Sequence, residues 1–368
     1  MDYQKTIQQV LDRAVEKGTE CGCQVALFID GKLEANVCSG WTDWSRTKKV
    51  DENTLFPVYS CGKAMSSTVI HRLVEMGKLT YDTRISDFWS DFGCNGKEDM
   101  RVWHVLSYRS ALYNIPEVVE WSNAINEKRT GPEQDELEKI IADFQEMTQR
   151  MAKATLNEPY GGNQKYHPQT YGWLTGGMAC HIMGQDDYSA LFRELVGTPA
   201  GMDRFFYGIS DEEENTATLV KALDGSCSSE NGVARMNKQL FRKSCNPSTC
   251  AMSNALSLAS HYAALDSGKI LSQETIDNAI SLKWRSKEDT LNCIRGRWEL
   301  FGLGYVMSGP VDNLTSIYGH GGLGGSEALV DRKRHLAFAF TRNCFADPNV
   351  IHDIYDAIGF KNRDWPDA

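Results

Sequence analysis

The sequence lacks a long apolar run and an excess of positive charge. No stretch approaches the roughly 20 apolar residues that a membrane-spanning helix needs. The 368 residues carry 49 aspartates and glutamates against 39 lysines and arginines, which gives a formal net charge of −10. Nucleic acids and anionic membranes call for a basic surface on their partners. We therefore expect neither as a partner, and a small molecule is the expected ligand.

The amino end of the sequence does not have the pattern of a secretory signal. Its first residues, "MDYQKTIQQVLDRAVEKG", are charged throughout. Apolar residues recur there at helical spacing, namely Ile7, Val10, Leu11 and Val15. This spacing predicts an amphipathic surface helix and not a signal peptide. A cytoplasmic location is therefore expected.

Cysteine pairs of the CxxC type are absent, although the chain holds eleven cysteines. Cys245 and Cys250 flank "NPST", but no second pair with metal-ligand spacing lies near them in the sequence. Since no export signal is expected, we interpret the scattered cysteines as reduced thiols. We therefore expect no metal site.

The sequence signatures of several other enzyme classes are missing. Neither Gly-x-Ser-x-Gly nor His-Glu-x-x-His occurs, so an α/β-hydrolase or a zinc peptidase has no support. The spacing Gly319-x-Gly321-x-x-Gly324 resembles a dinucleotide fingerprint, which requires a helix directly after the glycines. The residues that follow, "SEALVDRKRHLAFAF", alternate like a hairpin with a turn near Arg332 and Lys333. No cofactor is therefore expected.

Strand patterns are concentrated at the two ends of the chain. "QVALFIDGKLEANVCSG" alternates around Asp30-Gly31, which predicts a hairpin. Near the other end "FGLGYVMSG", "TSIYGHGG" and "SEALVDRKRHLAFAFTRN" predict strands, and "VIHDIYDAIGF" predicts a closing helix. Residues from about 60 to 200 are mainly helical in pattern, with "LEKIIADFQEMTQRMAKAT" as the longest amphipathic segment. Residues 212–253 have the composition of long surface loops.

These patterns predict an α/β (α+β) fold. We expect one antiparallel sheet from both chain ends, flanked by the terminal helices, with a mostly helical region inserted between its parts. The expected domains are a sheet domain of residues 1–80 and 210–368 and a helical domain of residues 81–209. The active site is expected in the cleft between them. The oligomeric state does not follow from the sequence.

Ser60 and Lys63 begin a regular helical pattern. Apolar residues recur on one helix face, namely Met65, Val69, Leu73 and Met76. Gly77 ends the pattern, so a helix is predicted from about 60 to 76. Residues three apart on a helix share a face, so the lysine amine can reach the serine oxygen. The helix N-terminus also favours developing negative charge. This arrangement is typical of a serine nucleophile.

Burial decides whether the pair can react. To accept the serine proton, Lys63 needs its pKa lowered from about 10.4 to near 7, which costs roughly 4 kcal/mol. Burial can lower the pKa of a lysine by about 3–5 units, whereas an exposed lysine keeps its ordinary value. Ser45 and Lys48 in "WSRTKK" have the same spacing in a polar stretch. They serve as an internal control for the motif.

The surroundings of Ser60 resemble the serine β-lactamase and penicillin-binding family, in particular the class C branch with its related esterases. "TLFPVYSCGK" carries the resemblance, together with "MRVWHVLSYRSALYN" at the family's His-Thr-Ser-Gly-Leu segment and "LVGTPAGMDRFF" at its Pro-Leu-Gly-Met turn. The likeness extends from about residue 20 to 345. It implies a β-lactamase/transpeptidase-like fold, with Ser60 as the nucleophile and Lys63 as its proton partner.

The family's second motif, Tyr-x-Asn, is absent as such. "KYHPQTYGWLTGGM" resembles its surroundings, which implies that Tyr166 is catalytic and that His167 and Pro168 replace the following residues. A phenol there would share a proton with Lys63, and either residue would serve as the base. Tyr171 is expected to be a packing residue.

The third motif, Lys-Thr-Gly, is best matched by His320, Gly321 and Gly322. The family's lysine helps to hold a substrate carboxylate, whereas a histidine is mostly neutral near pH 7. This change favours neutral esters or amides. The resemblance implies that the N–H groups of Ser60 and Leu323 form the oxyanion hole.

Three functions follow from these features. The first is a serine esterase or related acyl hydrolase that forms an acyl-enzyme. The second is a β-lactamase or D-Ala-D-Ala carboxypeptidase, which would act on a lactam or peptide. The third is a catalytically silent binding or assembly protein on the same scaffold, which the missing asparagine suggests. Intact Ser60 and Lys63 favour an enzyme.

Overall fold

The fold is described from a computed structural model, which covers residues 1–115, 132–222, 235–294, 300–345 and 349–360. The strands are β1 (Gly22–Ile29), β2 (Lys32–Gly40), β3 (Phe56–Pro57), β4 (Phe205–Tyr207), β5 (Lys221–Ala222), β6 (Ala251–Ser253), β7 (Leu300–Phe301), β8 (Val306–Met307), β9 (Ile317–Gly321), β10 (Glu327–Asp331), β11 (Leu336–Arg342) and β12 (Cys344–Phe345).

The α-helices of the described ranges are α1 (Tyr3–Glu16), α2 (Cys61–Glu75), α3 (Val102–Leu106), α4 (Pro132–Ala142), α5 (Phe144–Lys153), α6 (Thr170–Met183), α7 (Tyr188–Phe192), α8 (Thr198–Ala200), α9 (Asp211–Glu214), α10 (Gln239–Arg242), α11 (Ala255–Asp266), α12 (Gln273–Ala279), α13 (Lys287–Ile294) and α14 (Asn349–Ala357). Within these ranges, every helix is too short or too polar to cross a membrane.

The main sheet has seven strands in the order β2-β1-β11-β10-β9-β8-β7, and neighbouring strands are antiparallel. Asp30 and Gly31 join β1 to β2 with φ angles of 50° and 73°. Positive φ at both positions suits the twist of a two-residue hairpin. Because β1 lies between β2 and β11, the two ends of the chain form one sheet.

The terminal helices α1 and α14 pack on one face of this sheet. Their apolar residues form a buried cluster with side chains of β1, β2 and β11, including Ile7, Leu11 and Ile354. Asp2 caps α1 by accepting a hydrogen bond from the Lys5 N–H over 3.0 Å. This arrangement confirms the predicted fold class, an antiparallel sheet from both chain ends flanked by terminal helices.

The opposite face of the sheet packs against α11 and α2, and a larger buried cluster continues from there into the helices between residues 81 and 209. β3, β6 and β4 form a small antiparallel sheet beside α2. β3 leads directly toward Ser60, so this small sheet holds the start of α2. The division into domains at residues 81–209 stays a prediction.

Two expectations about local structure need correction. Residues 244–253 are mostly buried, so the prediction of surface loops over 212–253 is wrong there; residues 223–234 lie outside the described ranges. The long amphipathic segment consists of two helices, because Asp143 begins α5 by accepting a hydrogen bond from the Glu146 N–H.

Candidate active site

Ser60 stands at the start of α2, in the turn that joins β3 to this helix. The preceding Tyr59 has a φ of 45°, which is rare for a bulky side chain and stores backbone strain. Its ring is buried and meets Phe345 edge-on at 5.6 Å. Tertiary packing therefore holds the backbone that presents the half-buried Ser60 hydroxyl.

Lys63 lies one helical turn after Ser60 and is fully buried. Its Nζ donates to Ser60 Oγ over 2.9 Å. The spacing on α2 brings the two groups together, as the helical pattern predicts. The Lys63 amine is thus both removed from water and in contact with the hydroxyl.

Two backbone carbonyls also accept hydrogen bonds from Lys63 Nζ, Pro168 O at 2.8 Å and Ser248 O at 3.0 Å. Carbonyl oxygens accept and cannot donate, so both must receive N–H groups from Lys63 in either protonation state. A protonated amine then directs its third N–H at Ser60 Oγ, and a neutral amine directs its lone pair there. The carbonyls therefore aim Lys63 at the hydroxyl.

The loop that carries Ser248 reaches Lys63 because two glycines leave room for it. A Cβ on Gly62 would lie 2.6 Å from Pro247 O, and a Cβ on Gly172 would lie 2.4 Å from Ser248 N. The Gly172 N–H also donates to Ser248 Oγ over 2.6 Å. Sequence reasoning missed Ser248, since a backbone carbonyl leaves no residue-type signal. Glycines on the facing sides of two helices are the available hint.

Tyr166 approaches Ser60 from the segment before α6. Its hydroxyl donates to Ser60 Oγ over 2.8 Å, and its ring centroid lies 4.9 Å from Lys63 Nζ. The ring stacks on Phe301 at 5.5 Å and packs against Tyr108 at 5.4 Å. Ser60, Lys63 and Tyr166 therefore form one hydrogen-bonded group, with aromatic rings fixing the phenol.

His167 and Pro168 follow Tyr166 and have different surroundings. The His167 ring is buried, with Nε2 at 2.7 Å from Ser110 Oγ and Nδ1 at 2.6 Å from Lys165 O. Burial, helped by the charge of Lys63, lowers the pKa of His167 to about 4. His167 is therefore a neutral anchor for the chain beside Tyr166.

His320 lies on β9 and is buried, on the strand face that also carries the core residue Tyr318. Its ring centroid is 6.2 Å from that of Tyr166. Nδ1 lies 2.7 Å from Gly321 O, so the proton of the neutral ring resides on Nδ1. Burial and then the charge of Lys63 lower the pKa of His320 to about 3. This histidine therefore stays uncharged at neutral pH.

The turn after β9 packs against the chain that leads to Ser60. The Gly322 N–H donates to Ser326 O over 2.7 Å, and a Cβ on Gly322 would lie 2.3 Å from Val58 O. Only a glycine allows this approach. The next residue, Leu323, is 43% exposed. Gly321, Gly322 and Leu323 thus lie at the end of β9 nearest the start of α2.

The internal control for the serine–lysine spacing shows no such contact. Ser45 and Lys48 are exposed; Ser45 Oγ lies 2.9 Å from Thr47 Oγ1, while Lys48 Nζ donates to Asn215 O. Tyr171 is buried and bonds Ser67 Oγ at 2.7 Å, as expected of a packing residue. In the described ranges, no three His, Cys, Asp or Glu side chains gather as a metal site would require.

Comparisons with known proteins point to one family. A family model described as Beta-lactamase matches residues 7–358. The chain is 26% identical over 374 residues to the Esterase/beta-lactamase LipL of Mycobacterium tuberculosis, covering 92% of this chain and 80% of that protein.

Solved structures share the fold. A family VIII carboxylesterase aligns with a TM-score of 0.79 and 21% identity, covering 97% of this chain and 98% of that one. The D-amino acid amidase of Ochrobactrum anthropi SV3, in complex with L-phenylalanine amide, aligns with a TM-score of 0.71 and 20% identity, covering 98% and 99%.

Proposed function

The chain belongs to the beta-lactamase family, and we propose that it is a serine hydrolase that cleaves an ester or amide of a small molecule. One observation carries the proposal: a fully buried Lys63 and the phenol of Tyr166 both hydrogen-bond Ser60 Oγ. Burial weakens the hold of an amine on its proton, so such a lysine suits proton transfer. The proposed roles are Ser60 as nucleophile and Lys63 with Tyr166 as the proton-transfer pair.

The first half of the proposed reaction forms an acyl-enzyme. Ser60 Oγ attacks the acyl carbon while its proton passes to Lys63 or Tyr166. The bond to the leaving group then breaks, and the leaving oxygen or nitrogen takes up that proton. The N–H groups of Ser60 and Leu323 are the proposed donors to the oxyanion. Gly321 would let the substrate lie close to β9, whereas Gly322 allows the approach of Val58 O.

The second half releases the acyl group. Water attacks the acyl carbon, and its proton passes to the same pair of residues. The bond to Ser60 Oγ breaks, and the serine oxygen recovers a proton from that pair. The free acid leaves, and the site returns to its starting state.

Neutral substrates fit the proposed site better than penicillin-like anions. A buried, uncharged His320 offers no positive charge to a substrate carboxylate. The family VIII carboxylesterase shares the fold and, by its description, acts on carboxylic esters. We therefore place esters ahead of β-lactams, although the M. tuberculosis relative carries both names.

The proposal extends to the setting of the enzyme. We propose that residues 1–80 and 210–368 form the sheet domain, that residues 81–209 form the helical domain, and that substrate enters the cleft between them. We also propose a cytoplasmic location. Cysteines of the described ranges such as Cys61, Cys180 and Cys250 are free thiols, which suits a reducing compartment.

The test is to offer the protein short-chain nitrophenyl esters, nitrocefin and a fluorophosphonate. Ser60→Ala removes the proposed nucleophile. Ser45→Ala is the matched control, because Ser45 has the same spacing to a lysine on the exposed surface. We expect ester turnover and a covalent mass increase in the wild type and in Ser45→Ala, and neither in Ser60→Ala.

Other outcomes select the other functions. Turnover of nitrocefin without turnover of esters would indicate a β-lactamase or D-Ala-D-Ala carboxypeptidase. If the wild type shows neither turnover nor labelling, a silent binding protein on this scaffold is indicated.

A further inference from the structure

Tyr166 sits at the end of a loop that runs alongside residues 107–111. Backbone N–H groups of the loop donate to carbonyls of that segment, from Gly161 to Arg109 over 2.8 Å and from Lys165 to Tyr108 over 2.9 Å. The position of the phenol therefore depends on where this neighbouring segment lies.

The neighbouring segment is itself strained. Tyr108 and Ala111 have φ angles of 60° and 54°, in the left-handed region that side chains other than glycine seldom adopt. Such conformations persist when surrounding contacts hold them, and they are concentrated at functional sites. Contacts around this segment must therefore hold it against the loop of Tyr166.

Arg109 and Asp289 form a buried ion pair at this point, with 7% and 10% of their side chains exposed. Arg109 Nη1 donates to Gly162 O, and Arg109 Nη2 donates to the Asp289 carboxylate. The same carboxylate accepts a weak hydrogen bond from the Gln164 N–H at 3.4 Å. The ion pair thus hydrogen-bonds the loop on both sides of residue 163, three positions before Tyr166.

The far end of this ion pair is also fixed. Ser286 donates to Asp289 Oδ2 twice, through its N–H over 3.0 Å and its hydroxyl over 2.8 Å. Gln164 Nε2 donates to Phe301 O over 3.1 Å, and the Phe301 ring stacks on Tyr166. The contacts therefore join the Tyr166 loop, the strained segment, α13 and β7.

We propose that Arg109 and Asp289 are positioning residues that hold the Tyr166 hydroxyl on Ser60 Oγ. This inference rests on the proposed hydrolase function and adds two residues that touch no reacting atom. A buried ion pair often contributes no more stability than apolar residues of the same size. Its arrangement around one loop instead gives a rigid geometry for the phenol.

The experiment compares Asp289→Asn with the double variant Arg109→Met/Asp289→Leu. For a nitrophenyl ester, Asp289→Asn lowers kcat about 10–100-fold and changes KM less than about 3-fold, because the phenol is misplaced while binding groups stay. The double variant removes both charges. It recovers the melting temperature that Asp289→Asn loses, but it does not recover kcat.

A matched control is Glu214→Gln. Glu214 pairs with Arg242 at 18% and 7% side-chain exposure and joins α9 to α10. Loss of this ion pair lowers the melting temperature and leaves kcat within about 2-fold of the wild-type value. A kcat that follows the melting temperature in all variants, and returns in the double variant, would overturn the positioning role.

A second measurement uses the Tyr166→Phe background. If Asp289 acts through the phenol, Asp289→Asn has little further effect on kcat once the hydroxyl is absent. Losses that multiply would contradict the inference. Failure of the proposed function is distinct from both results, since the wild type and Ser60→Ala would then show equal ester turnover.

Discussion

The surroundings of the Lys63 amine determine how this residue can take part in proton transfer. Water is excluded from the side chain, and the amine faces two carbonyls and the Ser60 hydroxyl. Burial favours the neutral amine, whereas the two carbonyls favour the charged one. The balance of these two effects sets how readily Lys63 exchanges a proton with Ser60 or Tyr166.

Replacing Lys63 tests this role at the scale of one residue. Lys63→Met keeps the length of the side chain and removes the amine. We expect kcat/KM for a nitrophenyl ester to fall about 10³-fold, in the range that loss of a general acid or base causes. Stopped-flow or steady-state assays measure this loss, on variant protein whose circular dichroism spectrum matches that of the wild type.

Lys97→Met is the control, because Lys97 is the second fully buried lysine among the described residues. Its Nζ donates to Ala154 O over 2.5 Å. It is expected to cost stability and to leave kcat/KM within about 2-fold. Equal losses of activity in both variants would contradict the proposed role of Lys63, because they would show that removing either buried lysine lowers activity.

At the residue scale, the sequence predicts the groups that carry recognisable chemistry. Ser60 and Lys63 lie on one turn of a regular helix, so their contact follows from the spacing together with the helical pattern around it. Tyr166 required a family resemblance, because its motif lacks the usual asparagine. The carbonyl of Ser248 was not predictable, since its position depends on how closely the loop of Pro247 and Ser248 approaches two helices at Gly62 and Gly172.

At the scale of elements, α1 covers an exposed edge of the main sheet. β2 is the outermost strand, and its free side would offer unpaired backbone groups to other chains. The side-chain amide of Gln4 pairs with the free backbone groups of Asn36, as a neighbouring strand would. Its Oε1 accepts from the Asn36 N–H at 2.9 Å, and its Nε2 donates to Asn36 O at 3.2 Å. Gln8 Nε2 donates to Cys38 O at 2.9 Å.

Removing these amides should uncover the edge. In Gln4→Ala/Gln8→Ala we expect a loss of unfolding free energy of about 1–3 kcal/mol and self-association at high concentration. Light scattering coupled to size-exclusion chromatography measures the second effect. Gln9→Ala, an exposed change on the same helix, is the control. Equal behaviour of both variants would contradict the edge-covering role.

The sequence predicts elements well where one periodicity dominates. The hairpins at Asp30-Gly31 and near Arg332 follow from alternation and turn residues. Residues 244–253 were mispredicted because serine, asparagine and proline favour turns without revealing whether a turn is buried. Here the turn is buried because α2 and α6 both pack on it, as the close approaches at Gly62 and Gly172 show.

At the scale of the whole molecule, burial keeps several histidines neutral. Burial lowers the pKa to about 4 or 3 for His71, His104, His167, His261 and His320. In the unfolded chain each would titrate near 6.5. Below that pH the unfolded chain therefore binds protons that the folded chain excludes.

This difference predicts acid sensitivity. A lowered histidine pKa gives stability that is complete above pH 6.5 and is lost as the pH falls toward 4. From pH 7 to pH 5, we expect the free energy of unfolding to fall by roughly 1–2 kcal/mol for each buried histidine. Urea titrations at a series of pH values measure it.

Two groups oppose this trend. The pKa of His335 is raised by its hydrogen bond to Asp266, and burial raises the pKa of Glu20 to about 8. The buried histidines outnumber them, so the net effect keeps its sign. Stability that stays level or increases between pH 7 and pH 5 would refute the prediction.

The closure of the sheet by both chain ends also constrains how the protein is made. The Gly22 N–H donates to the Asn343 side chain, 321 positions later, and β1 needs β11 as its partner. During synthesis, β1 must wait until nearly the whole chain has left the ribosome. Such distant pairing is slow to form. Ribosome-bound chains that stop before β11 should therefore bind chaperones and remain open to proteases.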